Sequence, residues 1–338
     1  MRAMIVREPN QPLTLDERPT PEPGPGEARV RVHACGICHS DLFVTEGHWP
    51  GLSFPWIPGH EVAGVIDAVG DGVSHVAVGD RVGLGWHGGH DGTCDACLAG
   101  KFVHCQNQKI TGISLLGGYA DYVVAPAVAL ARMPEGMGFV DAGPLLCAGV
   151  TTFNALRNSG ARSGDLVGIQ GLGGLGHLGV QFARAMGFEV VAISRGSDKE
   201  GFARELGAHH YVDAKAGDVG EAVQALGGAR VILATAPYAD AISQLVPALG
   251  LDGCLLVVAA AFEPLSVGAV DLISADRRVQ GWSSGTAIDS IDTMRFAKLH
   301  GIRPMVETFP LEKANEALAA MKEGSVRFRA VLDVAGAD

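Results

Sequence analysis

A glycine-rich loop between a predicted strand and a predicted helix restricts the fold of this chain more than any other feature. In "DLVGIQGLGGLGHLGVQFARAMG" the spacing G-x-G-x-x-G is formed by Gly171, Gly173 and Gly176. An apolar strand precedes the loop, and apolar residues at helical spacing follow it as far as Gly187. Such glycines permit a tight turn and let a pyrophosphate approach the backbone N–H groups at the helix start. The stretch predicts dinucleotide binding; the alternative is a flexible glycine loop.

The chain on either side of this loop has two different sequence patterns. From about residue 165, apolar strand-like runs such as "FEVVAIS", "ARVILATA" and "GCLLVVAA" alternate with helical patterns. This alternation is typical of a parallel sheet with helices on both faces. The first 150 residues instead mix short β-rich runs with Gly/Pro-rich segments such as "PTPEPGPGE". With 338 residues, 47% of them hydrophobic, the chain can bury two cores, so we predict an α/β protein of two domains.

Charge and composition exclude several classes of partner. The formal net charge is −11 and the basic residues form no run, which argues against a nucleic-acid surface. The first residues contain no apolar core of signal-peptide length, and no later stretch reaches about 18 uninterrupted apolar residues. Seven unevenly spaced cysteines do not fit a disulfide framework. We therefore expect a cytoplasmic protein without nucleic-acid or membrane partners, whose cysteines are reduced or bind metal.

The end of the second predicted strand of the dinucleotide region bears on the choice of cofactor. In such folds an acidic residue at this point holds the ribose hydroxyls. Here the strand "VVAIS" ends in Ser194 and Arg195. The two residues favour a contact with the phosphate of the adenosine ribose, and hence NADP(H) over NAD(H); the alternative is a merely solvated strand end.

A cysteine-rich segment, "HDGTCDACLAGKFVHC", predicts a metal site. Three thiols this close together in a cytoplasmic protein usually bind zinc, which takes four ligands in structural sites. The thiols are those of Cys94, Cys97 and Cys105, and Asp91 continues the spacing backwards as a candidate fourth ligand. The competitors for that position are His90 and His87. A redox-active or inert C-x-x-C pair is the alternative to a metal.

Further candidate metal ligands lie outside this segment. Cys38 stands in "HACGICHSDL", His60 and Glu61 in "PGHEVAG", and Cys147 in "LLCAGVTTFNAL". Each alone is as consistent with packing as with function. Together with "VGDRVG", the cysteine-rich segment and "GLGGLG", in this order along the chain, they resemble the zinc-containing medium-chain dehydrogenase/reductase family, specifically its alcohol dehydrogenases. That resemblance implies a β-rich GroES-like catalytic domain over residues 1–149, completed by 296–338, and a Rossmann dinucleotide-binding domain over 150–295.

The resemblance also implies a catalytic zinc ion. In that family the residues matching Cys38, His60 and Cys147 bind this ion. Glu61 matches a glutamate that can enter the metal shell, and Asp41 matches a carboxylate that orients a ligand. Three protein ligands leave the fourth zinc position open for an alcohol or carbonyl oxygen. The free thiol of Cys35 lies outside this pattern.

Residues beside the ligands take further roles from the same resemblance. Ser40 matches the hydroxyl that takes the proton of the alcohol, with a turn residue as the alternative. His39 and Thr151 match positions that touch the cofactor, and Arg329 resembles an arginine on the pyrophosphate side. Phe43 replaces a histidine that completes the proton path in many members, so the proton must leave by another route.

The resemblance places Asp91 at the first of four cysteine positions of a structural zinc site. Two tryptophans, Trp49 and Trp86, align with aromatic positions that flank the substrate, although either could be core packing. The predicted function is a homo-oligomeric (tetrameric or dimeric) alcohol dehydrogenase or aldehyde reductase with one catalytic and one structural zinc. Its substrates would be primary aliphatic, allylic or benzylic alcohols or the matching aldehydes, with NADP(H) preferred and NAD(H) possible. The alternatives are an NAD-dependent alcohol, polyol or formaldehyde dehydrogenase and a catalytically silent zinc and dinucleotide sensor.

Overall fold

A computed structural model describes residues 1–336 and divides the chain into two compact units. The first unit comprises Met1–Val150, Gly285–Leu299 and the residues from Arg303 onward; the second comprises Thr151–Ser284 and His300–Ile302. The strands of the described residues are β1 (Arg2–Ile5), β2 (Thr14–Glu17), β3 (Glu27–Gly36), β4 (Glu61–Val69), β5 (Arg81–Leu84), β6 (His87–Gly89), β7 (Lys109–Ile110), β8 (Tyr122–Pro126), β9 (Leu130–Arg132), β10 (Leu166–Gln170), β11 (Glu189–Ser194), β12 (His210–Asp213), β13 (Ala229–Ala234), β14 (Leu249–Val257), β15 (Arg278–Gly281), β16 (Val306–Pro310) and β17 (Arg329–Asp333).

The helices of the described residues are mostly short. They are α1 (Leu42–Thr45), α2 (Asp95–Leu98), α3 (Phe139–Pro144), α4 (Val150–Arg157), α5 (Gly176–Ala185), α6 (Glu200–Glu205), α7 (Val219–Gln224), α8 (Ala239–Ser243), α9 (Ala269–Ile273), α10 (Ala287–His300) and α11 (Ala314–Glu323).

The second unit is built on a parallel sheet of six strands in the order β12-β11-β10-β13-β14-β15. Every residue of β10 is buried, as expected for a central strand covered on both faces. The strand order reverses between β10 and β13, so the loop that begins at Gly171 leaves the sheet at its topological switch point. This arrangement is typical of dinucleotide-binding folds and confirms the predicted doubly wound sheet.

The first unit contains a sheet of seven strands in the order β16-β17-β3-β4-β5-β9, with β8 pairing to β3. All pairings are antiparallel except that of β16 with β17. In β3 the buried Val30 and Val32 alternate with Arg29 and Arg31, the period of two expected where one face of a strand packs on a core. The β-rich fold predicted for the first 150 residues is therefore confirmed.

One helical run in the described residues, Phe139–Arg157, is long and apolar enough to cross a membrane by length and composition alone. However, 78% of its most apolar window is buried inside the protein, as in the core helix of a globular domain. All seven cysteines are free thiols, as expected from their number and spacing.

The turn between β10 and α5 depends on the close approach of two glycines. A Cβ atom on Gly176 would lie 1.7 Å from the carbonyl oxygen of Gly171, so no side chain fits there. We expect Gly176→Ala to lower the free energy of unfolding by about 1–3 kcal/mol, the usual cost of inserting a methyl group into a tightly packed site. Gly201→Ala is the control, because its Cβ would meet open space within α6 and should be neutral or slightly stabilising. Urea denaturation of both variants would measure the difference, and equal midpoints would contradict the prediction.

Candidate active site and metal centres

Four side chains from three segments of the first unit converge to form a candidate metal centre. Cys38, His60, Glu61 and Cys147 each offer an atom within 4.8 Å of those of the others. The Sγ atoms of Cys38 and Cys147 are 3.8 Å apart, and His60 Nε2 is 3.4 Å from Cys147 Sγ. Cys38 follows β3, His60 and Glu61 lie at the start of β4, and Cys147 lies in the π-helical turn Leu145–Gly149. Two sulfurs and an imidazole nitrogen form a donor set typical of zinc.

A buried carboxylate fixes the orientation of the histidine in this cluster. Asp41 Oδ1 lies 2.9 Å from His60 Nδ1, and both side chains are 2% exposed. Asp41 Oδ2 accepts hydrogen bonds of 2.9 Å from the Tyr119 hydroxyl and from the backbone N–H of Cys38. His60 therefore turns Nε2 toward Cys147, the arrangement in which a carboxylate orients a ligating imidazole. Tyr119 is 78 residues from Asp41, and no local pattern in the sequence points to it.

The electrostatics of the cluster fit a bound cation. Burial lowers the pKa of His60, but the neighbouring Asp41 carboxylate outweighs this effect and raises it well above its usual value. Burial raises the pKa of Glu61 to about 7, although Arg329 opposes the shift. Among the described residues, Glu61 Oε2 is buried with no hydrogen-bond partner. A buried carboxylate within reach of two thiols and an imidazole, with one oxygen unpartnered, is the pattern expected of a site that receives a metal ion.

Arg329 contacts Glu61 within the first unit. Its Nη2 atom donates to Glu61 Oε1, and the two side chains are 5% and 0% exposed. A buried pair of this kind needs mutual neutralisation, because either charge alone would be costly to desolvate. The expected contact of Arg329 with a pyrophosphate stays a prediction. The pair joins residues 268 positions apart, so sequence patterns could not reveal it.

Aromatic rings line one side of the metal centre. The Trp86 ring meets the His60 ring edge to face with centroids 5.0 Å apart, and Trp49 meets Trp86 in the same way at 6.0 Å. Phe43 continues this aromatic wall, with its centroid 6.3 Å from that of Trp49. The two tryptophans therefore lie near the candidate centre, and Phe43, which replaces the expected histidine, extends the apolar surface.

The residues assigned to proton and cofactor contacts lie beside Cys38. His39 and Ser40 belong to the 3-10 turn His39–Asp41, whose N-cap is Cys38. Ser40 is half-buried, while His39 is exposed. Ser40 therefore lies in the turn that begins at Cys38, one of the candidate metal ligands.

A second candidate metal centre lies in the cysteine-rich lobe of the first unit. Its members each offer one atom within 4.8 Å of the others: Asp91, Cys94, Cys97 and Cys105. The Sγ atoms of Cys94 and Cys105 are 3.8 Å apart. The structure brings Asp91 into this cluster. The competing His90 contacts His87 instead, with 3.2 Å between Nδ1 and Nε2, and stacks on Phe102 with ring centroids 4.4 Å apart.

Hydrogen bonds keep the acidic member of the lobe ionised. The backbone N–H of Thr93 and the side-chain amide of Asn107 hold the pKa of the Asp91 carboxyl well below its usual range. Backbone N–H groups of Gln106 and Cys97 lower the pKa of the Cys94 thiol. Burial and the neighbouring thiols of Cys105 and Cys94 raise the pKa of Cys97 to about 12. The lobe therefore combines one ionised carboxylate with three sulfur donors, a ligand set that fits Zn²⁺.

The glycine loop of the second unit is the candidate site for a cofactor phosphate. Gly171 adopts a φ of 90°, which favours glycine, and a Cβ atom on Gly173 would meet open space. The loop leads into α5, whose first turn carries no acidic residue and no side-chain cap. Two of its first backbone N–H groups, those of His177 and Leu178, donate to the carbonyl oxygens of Gly173 and Leu175 at 3.1 Å. The positive end of the α5 dipole still faces the loop and favours a phosphate group there. Thr151, a further residue assigned to the cofactor in this unit, is buried in α4.

The end of β11 holds the two residues linked to cofactor choice. Ser194 is buried and hydrogen-bonds with the hydroxyl of Tyr211, whereas Arg195 is exposed. The Arg195 guanidinium lies over the ring of Tyr238, 5.4 Å from its centroid. Arg195 is therefore the better placed of the pair to meet a ligand at the surface.

An acidic side chain that sequence reasoning missed lies beside this strand end. Asp213 is paired in register with Ser194 on the neighbouring strand. Its Oδ1 atom accepts backbone N–H groups of Gly196 at 2.7 Å and of Lys215 at 2.9 Å. These N–H groups, that of Lys215 first, lower the pKa of Asp213. Only the sheet order brings this carboxylate to the tip of β11, because it lies 19 positions further along the chain.

Comparison with known proteins extends over nearly the whole chain. The alcohol dehydrogenase GroES-like domain matches residues 24–135, and the zinc-binding dehydrogenase domain matches residues 174–300. Alcohol dehydrogenase patD of Penicillium expansum is 47% identical over 333 residues, covering 97% of this chain and 96% of that protein.

Solved dehydrogenase structures also match this chain over its whole length. Cinnamyl alcohol dehydrogenase SbCAD4 of Sorghum bicolor superposes with a TM-score of 0.89 at 31% identity, covering 100% of this chain and 98% of the other. A structure described as CAD from Helicobacter pylori complexed with NADP(H) has a TM-score of 0.89 at 26% identity, covering 100% and 99% of the two chains.

The two clusters predict the metal content of the purified protein. If each holds one ion, metal analysis should give about two zinc ions per chain. Cys94→Ala should retain about one, and should unfold at a lower temperature because metal binding is coupled to local folding. Inductively coupled plasma mass spectrometry and thermal denaturation check both results. A content near one that the substitution leaves unchanged would show that the lobe binds no metal.

Proposed function

The chain belongs to the zinc-containing medium-chain dehydrogenase/reductase family of alcohol dehydrogenases, and on this basis we propose that it interconverts primary alcohols and aldehydes with a catalytic zinc ion and NADP(H). The observation that carries the proposal is the convergence of Cys38, His60, Glu61 and Cys147, whose donor atoms lie within 4.8 Å of one another. The alternative is a sensor without catalysis, and turnover with alcohols distinguishes the two.

In this proposal, Cys38, His60 and Cys147 hold the catalytic zinc ion. Bound zinc supplies a Lewis acid that polarises the oxygen of the substrate. Asp41 keeps Nδ1 of His60 engaged, so that the ring presents Nε2 as a donor. Arg329 balances the charge of Glu61 in the same buried region, leaving Glu61 Oε2 available as an additional oxygen donor.

When bound, the nicotinamide would supply the acceptor for a hydride from the substrate carbon, and the hydroxyl proton of the alcohol would have to be accepted by this chain. We assign acceptance of this proton to the Ser40 hydroxyl, which adjoins Cys38 in the chain and is half-buried. Phe43 cannot carry the proton onward, because its ring has no titratable group. A proton accepted at Ser40 would therefore leave by a route other than residue 43, for which hydroxyl groups of a bound cofactor or water would serve.

The aromatic wall favours flat or unbranched substrates. Trp49 and Trp86 present large rigid surfaces within 6.0 Å of each other, and Trp86 borders His60. Planar groups stack against such rings, whereas branched carbon skeletons lose this contact. We therefore assign allylic and benzylic alcohols or aldehydes, together with small primary aliphatic ones, as the substrate class. The sorghum relative is named for a cinnamyl alcohol, which is consistent with this assignment.

Arg195 supports a preference for NADP(H). Its guanidinium is exposed at the end of β11 and lies over Tyr238, which limits its freedom to move. A guanidinium forms charge-assisted hydrogen bonds to a phosphate group, so it can recognise the 2′-phosphate that distinguishes NADP from NAD. The Oδ1 atom of Asp213, on the neighbouring strand, accepts two backbone N–H groups.

The zinc mechanism predicts that Cys38→Ala abolishes turnover without abolishing cofactor binding. Loss of a Lewis acid removes several kcal/mol of transition-state stabilisation, so kcat/KM should fall by more than about 100-fold. NADPH binding, followed by fluorescence titration, should stay close to that of the native protein. The matched control is Cys35→Ala, which removes a buried thiol outside the cluster. An assay at 340 nm with a panel of alcohols and aldehydes measures turnover; full activity in Cys38→Ala would refute the mechanism.

The cofactor proposal predicts a selective effect of Arg195→Ala. Charge-assisted hydrogen bonds contribute roughly 1.5–3 kcal/mol, so kcat/KM for NADP should fall about tenfold to a hundredfold. The value for NAD should hardly change, since NAD lacks the 2′-phosphate. Arg204→Ala serves as a control, because that exposed arginine pairs with Glu200 on α6. A native preference for NAD, or an equal loss with both cofactors, would show the assignment to be wrong.

A further inference from the structure

The carboxylate of Asp91 in the cysteine-rich lobe has hydrogen-bond donors on both oxygens. Oδ1 accepts the backbone N–H groups of Thr93 at 2.8 Å and of Cys94 at 3.1 Å. Oδ2 accepts the side-chain amide of Asn107 at 2.7 Å. Donors on both oxygens fix the plane of the carboxylate, and so fix the direction in which its remaining lone pairs point.

Asn107 also contacts a second member of the cluster. Its backbone N–H donates to Cys105 Sγ at 3.3 Å, and the backbone N–H of Asp91 donates to the same sulfur at 3.4 Å. Asn107 thus connects the oxygen donor of the lobe with one of its sulfur donors. The two candidate ligands, Asp91 and Cys105, lie at opposite ends of the lobe sequence, 14 residues apart.

The charges of the four candidate ligands explain why the hydrogen bonds from Asn107 matter. Three thiolates and one carboxylate carry four negative charges against the two positive charges of Zn²⁺, and N–H donors disperse the excess. The carboxylate is a harder donor than the thiolates around it. An oxygen donor held in one orientation loses less entropy on binding the ion than a freely rotating one.

We propose that Asn107 is a positioning residue for the metal ion of the lobe: its amide holds Asp91 in the orientation of a fourth ligand and thereby slows loss of the ion. This inference rests on the zinc content proposed for the lobe. It concerns retention of the metal, and it is independent of the reaction at Cys38.

The test compares metal release from the full-length, zinc-loaded protein and its variants. Zinc transfer to a chromogenic chelator is followed by absorbance, and the phase that is missing in Cys94→Ala identifies the ion of the lobe. Asn107→Ala should release this ion about tenfold faster, the lower end of the effect of removing a hydrogen bond to a metal ligand. Asn107→Asp has nearly the same shape but loses the donor and adds a like charge beside Asp91, so it should release the ion faster still.

Two comparisons separate positioning from a merely structural effect. Gln106 offers an exposed amide side chain one position away, and Gln106→Ala removes this amide but keeps the backbone N–H that contacts Cys94, so it should leave the rate unchanged. In the Asp91→Cys background the acceptor oxygen is gone, so Asn107→Ala should change the rate by less than about twofold.

Three outcomes would overturn the inference. If Asn107→Ala releases zinc at the native rate, the amide does not position Asp91, although zinc in the lobe would stand. If the full effect of Asn107→Ala persists with Asp91→Cys, its role is structural. If the native protein holds no zinc in the lobe, both the lobe assignment and this inference fail, while turnover at the other centre is unaffected.

Discussion

The Asp41 carboxylate is buried among three donors: the ring Nδ1 of His60, the hydroxyl of Tyr119 and the backbone N–H of Cys38. A buried carboxylate without such partners would be costly, so these contacts constrain one another. They fix the His60 ring, and they tie the turn that carries Cys38 to the strand that begins beside His60. The candidate catalytic centre depends on this network, since without it the imidazole could rotate away from Cys147.

The buried region around the candidate catalytic centre also contains an ion pair. Glu61 and Arg329 neutralise each other, yet one oxygen of Glu61 remains without a partner among the described residues. In the cysteine-rich lobe, by contrast, the candidate ligands accept hydrogen bonds from N–H groups. Two of these come from Asn107, one from its backbone and one from its side-chain amide. Both clusters therefore have more anionic donor capacity than the protein alone satisfies, which is the electrostatic condition for retaining a divalent cation.

Much of the fold could be predicted from the sequence, because its signals are local. The alternation of apolar strand-like runs with helical patterns from about residue 165 predicted the parallel sheet, and the six-stranded parallel order confirms it. At the tip of β11 the sequence identified Ser194 and Arg195 but not Asp213. That residue reaches the tip through the pairing of β11 with β12, and pairing between strands is not encoded in local spacing.

The sequence by itself determined the chemical types of the metal ligands and their local order: thiols at Cys94 and Cys97 three positions apart, glycines in a turn, and an alternating pattern of strands and helices. The tertiary structure decided which distant groups meet. Tyr119 reaches Asp41, and Arg329 reaches Glu61, across 78 and 268 residues. The physical reason is that turn geometry and periodicity act over a few neighbouring residues. The pairing of buried charges, in contrast, is set by the packing of whole sheets, which brings together side chains whose separation along the chain carries no signal.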